Sequence, residues 1–273
     1  DVYKRQQVPI FRRAILTHGG AGSDIQDSDG PQAAAKVGLD LMRNNKSALD
    51  AVVQAVRYLE DDSRFNAGLG SQLRIDGCTI QMDASCMTSG GEFGAVACVE
   101  NIKNPIDLAF GVLCHSPHII LMGDGVRIFA KEYNIPITGL NCSGQIETPG
   151  TPCDTVGAVA FDGRTFAAAL SSGGLEKSAI GRVGDVPLPG GGLFCGPLGA
   201  VACTGDGESI ALKLLAKEVY TWLENSMNPD EAAHKAITLF DQSVDIGLII
   251  LTRNGFASNA RSGMPWSHIT ERR

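Results

Sequence analysis

A threonine directly follows an aspartate at Asp154-Thr155, where a loop rich in Gly, Pro and Ser meets the alternating stretch VGAVAFDGRTFAAALSSGG. A threonine hydroxyl is a weak nucleophile at its free pKa and needs a base within hydrogen-bond reach. If the chain were cut before Thr155, the new α-amine, with a pKa of about 7.7–8.0, would be that base on the same residue. Breaking one peptide bond would create nucleophile and base together. On these two residues alone the plainer reading takes precedence: Asp154 ends a loop and Thr155 starts a strand.

Other motifs add weight. GRVGD, residues 181–185, places Arg182 and Asp185 three residues apart in a turn-rich segment. A bidentate Arg grips a carboxylate and an Asp grips an ammonium, so the pair could clamp the head group of an amino acid. A surface ion pair worth about 0–1 kcal/mol is the competing reading. TGDGE, residues 204–208, offers backbone N–H groups between an apolar strand and a helix, which suits an oxyanion. A phosphate loop would need the lysine of G-x-x-x-x-G-K-[ST], and that pattern is absent. HGGAG, residues 18–22, is a lone Gly-rich loop and weak evidence for phosphate; His18 reads as structural.

These residues need a scaffold, and the composition allows one. The chain has 273 residues, 44% hydrophobic and 19% charged, with 33 glycines and a net charge of −7. That length buries a substantial core, and the acidic balance argues against a nucleic-acid partner. No run of 18 apolar residues is present, so no membrane span is expected. The opening DVYKRQQVPIFRR lacks an initiator Met and the apolar core of a signal peptide; it is expected to be a boundary segment and is left out of the fold reading. Eight cysteines occur without a C-x-x-C pair, mostly in apolar runs, which points to reduced structural thiols and a cytoplasmic location.

Periodicity orders the rest. RAILTHGG is a strand running into a loop. GPQAAAKVGLDLMRNN and SALDAVVQAVRYLEDD are helices, the second capped by Ser47 ahead of Asp50. QLRIDGCTIQMDAS reads as a hairpin turned at Asp76-Gly77. FGAVACV is a strand, NPIDLAFGVLCH a helix, HIILMG a strand and GVRIFAKEYN a helix. Residues 135–154 have no period and are expected to be an exposed, mobile connection. A hairpin with Asp162-Gly163 near its turn follows, then an irregular stretch over GDVPLPGGGLFCGPLG. After the strand AVACT come one long helix, SIALKLLAKEVYTWLENS, a helix capped by Asn228 with Pro229 at its first position, and a hairpin turned at Asn254-Gly255. The order predicts a single α+β domain over 1–273, with antiparallel sheets joined by hairpins rather than βαβ crossovers, packed together with helices outside each.

In this order, HGGAG, ALDAVVQAVRYLEDDSRFNAGLGS, MDAS, GAVACVENIKNPIDLA, SPHIILMGDGVRIFA, DTVGAVAFDG, SSGG, GRVGD, PLPGGG and TGDGE resemble the plant-type L-asparaginase and isoaspartyl peptidase family of N-terminal-nucleophile hydrolases. The resemblance runs from about Thr17 to Trp266. It implies a four-layer αββα sandwich and autoproteolysis into 1–154 and 155–273, with no catalytic cofactor. Residue by residue it implies Thr155 as nucleophile, Thr204 and Gly205 as oxyanion hole, and Arg182 as binder of the substrate α-carboxylate. Asp185 and the backbone at Gly207 would bind the α-amine, and Asn66 would lie near the nucleophile. Ser172 stands where most members have a threonine; it keeps the hydroxyl, and the same SSGG is similar to the threonine aspartase branch. LEDDSRFNAGLG resembles a loop that wraps a structural sodium ion with the backbone carbonyls of Leu59, Glu60, Asp62, Phe65, Ala67 and Leu69. The connection before Thr155 is shorter than in many members, so slower or altered self-cleavage is expected, and a segment after the last residues is expected to be missing.

The resemblance implies hydrolysis of L-asparagine and of β-aspartyl dipeptides, no membrane partner, and a homodimer of αβ units. The rivals are an aspartylglucosaminidase, a threonine-aspartase-like endopeptidase and an uncleaved, non-catalytic homologue. HGGAG and TGDGE look more like the asparaginase branch, and Asp185 argues against an endopeptidase, whose substrate offers no free α-amine there.

Overall fold

The computed structural model describes residues 10–135, 137 and 155–273. Asp154, Cys142, Cys153 and nearly all of the predicted connection lie outside the described residues. Of that connection, Ile135 and Ile137 are described, and both pack against an apolar core.

Local chemistry sets the helices where the sequence expects them. Helix α2 (Ala48–Glu60) begins with a complete capping box: the Asp50 N–H donates to Ser47 Oγ at 3.1 Å and the Ser47 N–H to the Asp50 carboxylate at 3.0 Å. Its buried Ala48, Ala51, Val52, Ala55, Val56 and Leu59 follow the spacing of one helical face. Together with α1 (Asp29–Arg43), α3 (Pro105–His115) and α4 (Asp124–Glu132) it forms one helical group.

The strands make two sheets. β1 (Phe11–His18), β2 (Met82–Thr88), β3 (Phe93–Val99), β4 (Ile120–Met122), β5 (Val156–Phe161), β6 (Phe166–Ser172) and β11 (Trp266–Arg272) form a seven-stranded sheet in the order β11-β1-β5-β6-β2-β3-β4. β7 (Leu193–Gly196), β8 (Gly199–Gly205), β9 (Ile246–Thr252) and β10 (Phe256–Ala260) form the second, in the order β10-β9-β8-β7. Helices α5 (Gly207–Lys213), α6 (Leu215–Glu224) and α7 (Pro229–Thr238) complete the chain, and Asn228 caps α7 by accepting from the Glu231 N–H at 2.9 Å.

Two-residue alternation divides the buried strands between cores. Val156, Ala158 and Ala160 face a core shared with α1–α4, whereas Val159 and Phe161 face a core shared with Ala200, Ala202, Ile249 and Leu251 of the other sheet. A third core joins Val201, Cys203, Leu248 and Ile250 to α5–α7. By the same count Thr155, Ser172 and Thr204 belong to the face where the sheets meet.

Five expectations need correction. First, no hairpin forms over QLRIDGCTIQMDAS. The Asp76-Gly77 turn exists, but Asp76 spends its carboxylate on Cys78 N, Thr79 N and Thr79 Oγ1, and β2 pairs with β3 and β6 instead. In that segment Ile75 is 70% exposed while Arg74 is 1% exposed, the reverse of an apolar alternation. Second, not every connection is antiparallel: β3, α3 and β4 are a βαβ unit, because β3 and β4 pair in parallel. Third, the long helix breaks at Leu214, where φ is +46°; this frees the N–H groups of Ala216 and Lys217 to donate to Gly191 O and Gly190 O. Fourth, the irregular stretch before β8 contains β7. Fifth, the C-terminal residues form β11 beside β1, and β1 begins inside the segment left out of the fold reading.

Candidate active site

Strand ends from both sheets meet at one cavity of about 250 Å³, lined by Thr155, Ser172, Arg182, Asp185, Gly205 and Gly207 among others. Thr155 precedes β5 and is buried. The pairing of Val156 with Ser171 brings the end of β6, and so Ser172, alongside it. Opposite them β8 ends at Gly205, which has φ +125° and leaves no room for a Cβ against the Asp245 carbonyl. The chain turns there into α5, whose cap Asp206 accepts from the Ser209 N–H at 2.8 Å.

Two predicted residues stand behind the wall rather than on it. Thr204 is fully buried, and its Oγ1 accepts from the Ala21 N–H at 3.1 Å, which leaves its own O–H to donate. Asn66 donates through Nδ2 to the Gly174 carbonyl at 2.7 Å and packs against Gly173, so it shapes the turn after Ser172.

The two residues predicted to clamp a head group carry opposite charges. Arg182 donates through Nε and Nη2 to the two oxygens of Glu208 at 2.9 and 2.6 Å. That pair uses two of its five N–H groups. Burial works against the Arg182 charge, but the Glu208 hydrogen bonds and charge outweigh it and hold its pKa above the usual value. Asp185 is 4% exposed, and among the described residues its Oδ2 has no hydrogen-bond partner. Burial pushes its pKa up to about 7, opposed by its own backbone N–H and by Arg182. A buried carboxylate with a free oxygen is an incomplete ion pair, and an ammonium group completes it.

Gly207 stands between the two arms. A Cβ there would lie 2.8 Å from Arg182 Nη2 and 2.9 Å from Asp185 Oδ1. Gly207→Ala is therefore expected to raise KM by about tenfold or more with a smaller change in kcat, read by steady-state kinetics; an unchanged KM would show that the clamp has slack.

Sequence reasoning missed the floor beneath the clamp. Asp83, in MDAS, accepts from the Cys98 N–H at 2.9 Å and the Gly184 N–H at 3.3 Å; burial raises its pKa despite both bonds. Gln81 accepts from the Gly181 N–H at 2.7 Å. Arg74, a lone cation in a segment read as a hairpin, lies under Gly174. Only the motif MDAS hinted at any of these.

The remaining features fall outside the cavity lining. The HGGAG loop spends three amide N–H groups on the chain's own oxygens, Gly19 on Pro265 O, Ala21 on Thr204 Oγ1 and Gly22 on Gly263 O, so it does not form a phosphate nest. His18 packs on Gly157, and burial lowers its pKa to about 3, so its imidazole is neutral. In the loop after α2, Leu59, Asp62, Phe65 and Ala67 each accept one backbone N–H, and Gly68 and Gly70 crowd the Glu60 and Phe65 carbonyls. A carbonyl oxygen has two lone pairs, so this closed turn retains acceptors of the kind a hard cation takes. Among the described residues Cys86, Cys98, Cys114, Cys195 and Cys203 are free thiols. Among the described residues no helix is long and apolar enough to cross a membrane.

The chain matches a family model described as Asparaginase over residues 12–143 and 140–271. It is 36% identical to a plant-type L-asparaginase of Pyrococcus horikoshii, over 91% of this chain and 93% of that protein. It is also 36% identical to an isoaspartyl peptidase/L-asparaginase of Rattus norvegicus, over 97% of this chain and 90% of that protein. A Xenopus laevis protein of the same description is 35% identical over 96% of this chain and 93% of its own length.

Proposed function

Because the chain belongs to the asparaginase family, we propose that the cavity at Thr155 hydrolyses the β-amide of L-asparagine and of β-aspartyl dipeptides. The chain is an amidohydrolase. The observation that carries the reading is the meeting of Thr155, Ser172, Arg182, Asp185, Gly205 and Gly207 around one cavity, with one Asp185 oxygen left unpaired.

Cleavage of the Asp154–Thr155 bond frees the Thr155 amine. That amine takes the hydroxyl proton as Oγ attacks the side-chain carbonyl of the substrate. Thr204 Oγ–H and Gly205 N–H stabilise the oxyanion, and the amide bond then breaks as the Thr155 amine returns the proton to the leaving nitrogen. Ammonia departs from asparagine, and a free amino acid departs from a β-aspartyl dipeptide. Water then attacks the aspartyl ester on Thr155 by the same route and releases L-aspartate. Arg182 holds the α-carboxylate with the N–H groups that Glu208 does not use. Asp185 and the backbone at Gly207 hold the α-amine, while Ser172 supplies a hydroxyl beside Thr155.

The same reading includes the αββα sandwich, two αβ units per dimer, a cytoplasmic location and a sodium ion in the loop after α2. The turn in which Leu59, Asp62, Phe65 and Ala67 accept backbone N–H groups, with the Glu60 carbonyl against Gly68, supports the ion; Leu69 joins the set on the resemblance alone. An ion that binds only the folded state raises the melting temperature, by about 2–4 °C per kcal/mol for a chain of this size. Sodium chloride is therefore expected to raise it by several degrees over N-methylglucamine chloride at equal ionic strength. Equal melting temperatures would remove the ion.

The function is tested on purified protein by intact mass after incubation, with assays of ammonia from L-asparagine and of L-aspartate from β-aspartyl dipeptides. Two fragments split before Thr155, with release of both products, support it. A single stable chain inert to both substrates would overturn it.

A further inference from the structure

Arg74 is among the largest fully buried side chains of the described residues, and the proposed reaction gives it no part. Its guanidinium lies directly under Gly174, where a Cβ would sit 2.6 Å from Nη1. Nη1 donates to Ser178 Oγ, and Nη2 donates to the Gln81 carbonyl at 2.7 Å and to the Arg182 carbonyl at 3.3 Å. Among the described residues Nε has no partner. The backbone repeats the link: Ile75 N–H donates to Ser178 O at 3.0 Å, and Lys177 N–H to Leu73 O at 2.9 Å. One cation thus ties the turn after Ser172, the clamp residue Arg182 and the floor at Gln81 to a single point.

We propose that Arg74 is a positioning residue for substrate binding, which fixes the segment from Gly174 to Arg182 so that the Arg182 side chain meets the substrate α-carboxylate in a set place. This rests on the reading of Arg182 as the carboxylate binder. Stability is a poor reason for the charge. A buried guanidinium loses hydration, and apolar side chains of similar volume are often as good or better for the fold. Direction is what the fork adds. An Arg offers five N–H groups in a rigid plane, and here they reach three acceptors on two segments at once, Gln81 on one and Ser178 and Arg182 on the other. A lysine supplies the charge without that plane. The geometry bears on binding more than on chemistry, since Arg74 touches the Arg182 main chain and the turn at Gly174 but not Thr155, Thr204 or Gly205.

The test is a double-mutant cycle between Arg74→Gln and Arg182→Ala, with Arg74→Lys as the conservative change. Intact mass and melting temperature are recorded on each protein. In the otherwise native protein Arg74→Gln is expected to raise KM for L-asparagine about tenfold with kcat within about threefold. Arg74→Lys should fall between the two. Where Arg182 is already alanine, the same Arg74→Gln change should alter KM by less than about twofold, because the group it positions is gone. An undiminished tenfold effect in that background would overturn the proposal and mark Arg74 as part of general packing. So would a loss confined to kcat. If Arg74→Gln does not fold, Arg74→Lys carries the decision: a KM equal to that of the native protein overturns the proposal. Arg182→Ala with an unchanged KM would instead refute the assignment of Arg182, which separates the two failures.

Discussion

Thr155→Ala should remain one chain of 273 residues by intact mass and should turn over neither L-asparagine nor β-aspartyl dipeptides, with a loss of about 10⁴-fold or more. The substitution removes two things at once. Without the hydroxyl nothing attacks the Asp154 carbonyl, so the amine that would serve as base is never released. Without the amine, even a well-placed water would lack its proton acceptor. Thr155→Ser separates these losses from packing. It keeps the hydroxyl and drops one methyl on a buried face, so it should still split and retain measurable activity. Splitting of Thr155→Ala would refute self-cleavage by this residue, and full activity of the unsplit variant would refute the N-terminal base.

Asp185→Asn should lose substrate binding and gain stability. Its carboxylate has one oxygen unpaired, and burial pushes its pKa up to about 7. Removing one partner of a buried charge pair costs about 3–5 kcal/mol, so kcat/KM should fall roughly 10²- to 10⁴-fold. The stability effect has the opposite sign. A carboxyl whose folded pKa is raised binds its proton more tightly in the folded protein than in the unfolded chain. Its contribution to stability is therefore fully present below the unfolded pKa, near 4, and is lost as pH rises to about 7. At pH 8 the native protein carries the whole penalty, on the order of 4 kcal/mol at most, and the amide does not. Differential scanning at pH 8 should show the variant melting several degrees higher, with the gap narrowing toward pH 4. L-aspartate should bind the native protein more weakly as pH falls below about 7, a slope absent from the variant. A variant that melts lower at pH 8 would show that the Asp185 charge is already satisfied.

The two residues differ in how far the sequence reveals them. Thr155 is legible only in combination: Asp154-Thr155 alone reads as a loop meeting a strand, and the nucleophile reading gains its weight from GRVGD, TGDGE and the family resemblance. The pairing of Asp185 with Arg182 is legible in their spacing, although that spacing alone reads equally as a surface ion pair. What burial does to Asp185 is not legible, since the free oxygen and the raised pKa exist only once Gly192 and Gly207 close around the carboxylate. Helices α2 and α7 could be read from their caps, Ser47 and Asn228, because those contacts are local. The break at Leu214 could not, because the carbonyls that take up the freed N–H groups, Gly190 O and Gly191 O, lie more than 20 positions away. Arg74 failed for a related reason. A charged residue beside Asp76-Gly77 looks like a solvated turn, and only the folded loop turns it inward.

The seven-stranded sheet carries a final consequence. Its order, β11-β1-β5-β6-β2-β3-β4, interleaves strands from the two sides of Thr155: β1 lies between β11 and β5, and β6 lies against β2. Three seams of main-chain hydrogen bonds therefore join residues before Thr155 to residues after it. Once the bond before Thr155 is broken, the pieces hold each other as threads in a weave, and neither can leave without dismantling the sheet. On the proposed autocleavage, the weave is laid down while the chain is continuous. Unfolding a split enzyme would thus discard the covalent thread that set the order, and recovery would depend on two fragments finding each other, with a yield that rises with protein concentration. On that reading a split enzyme is assembled only once.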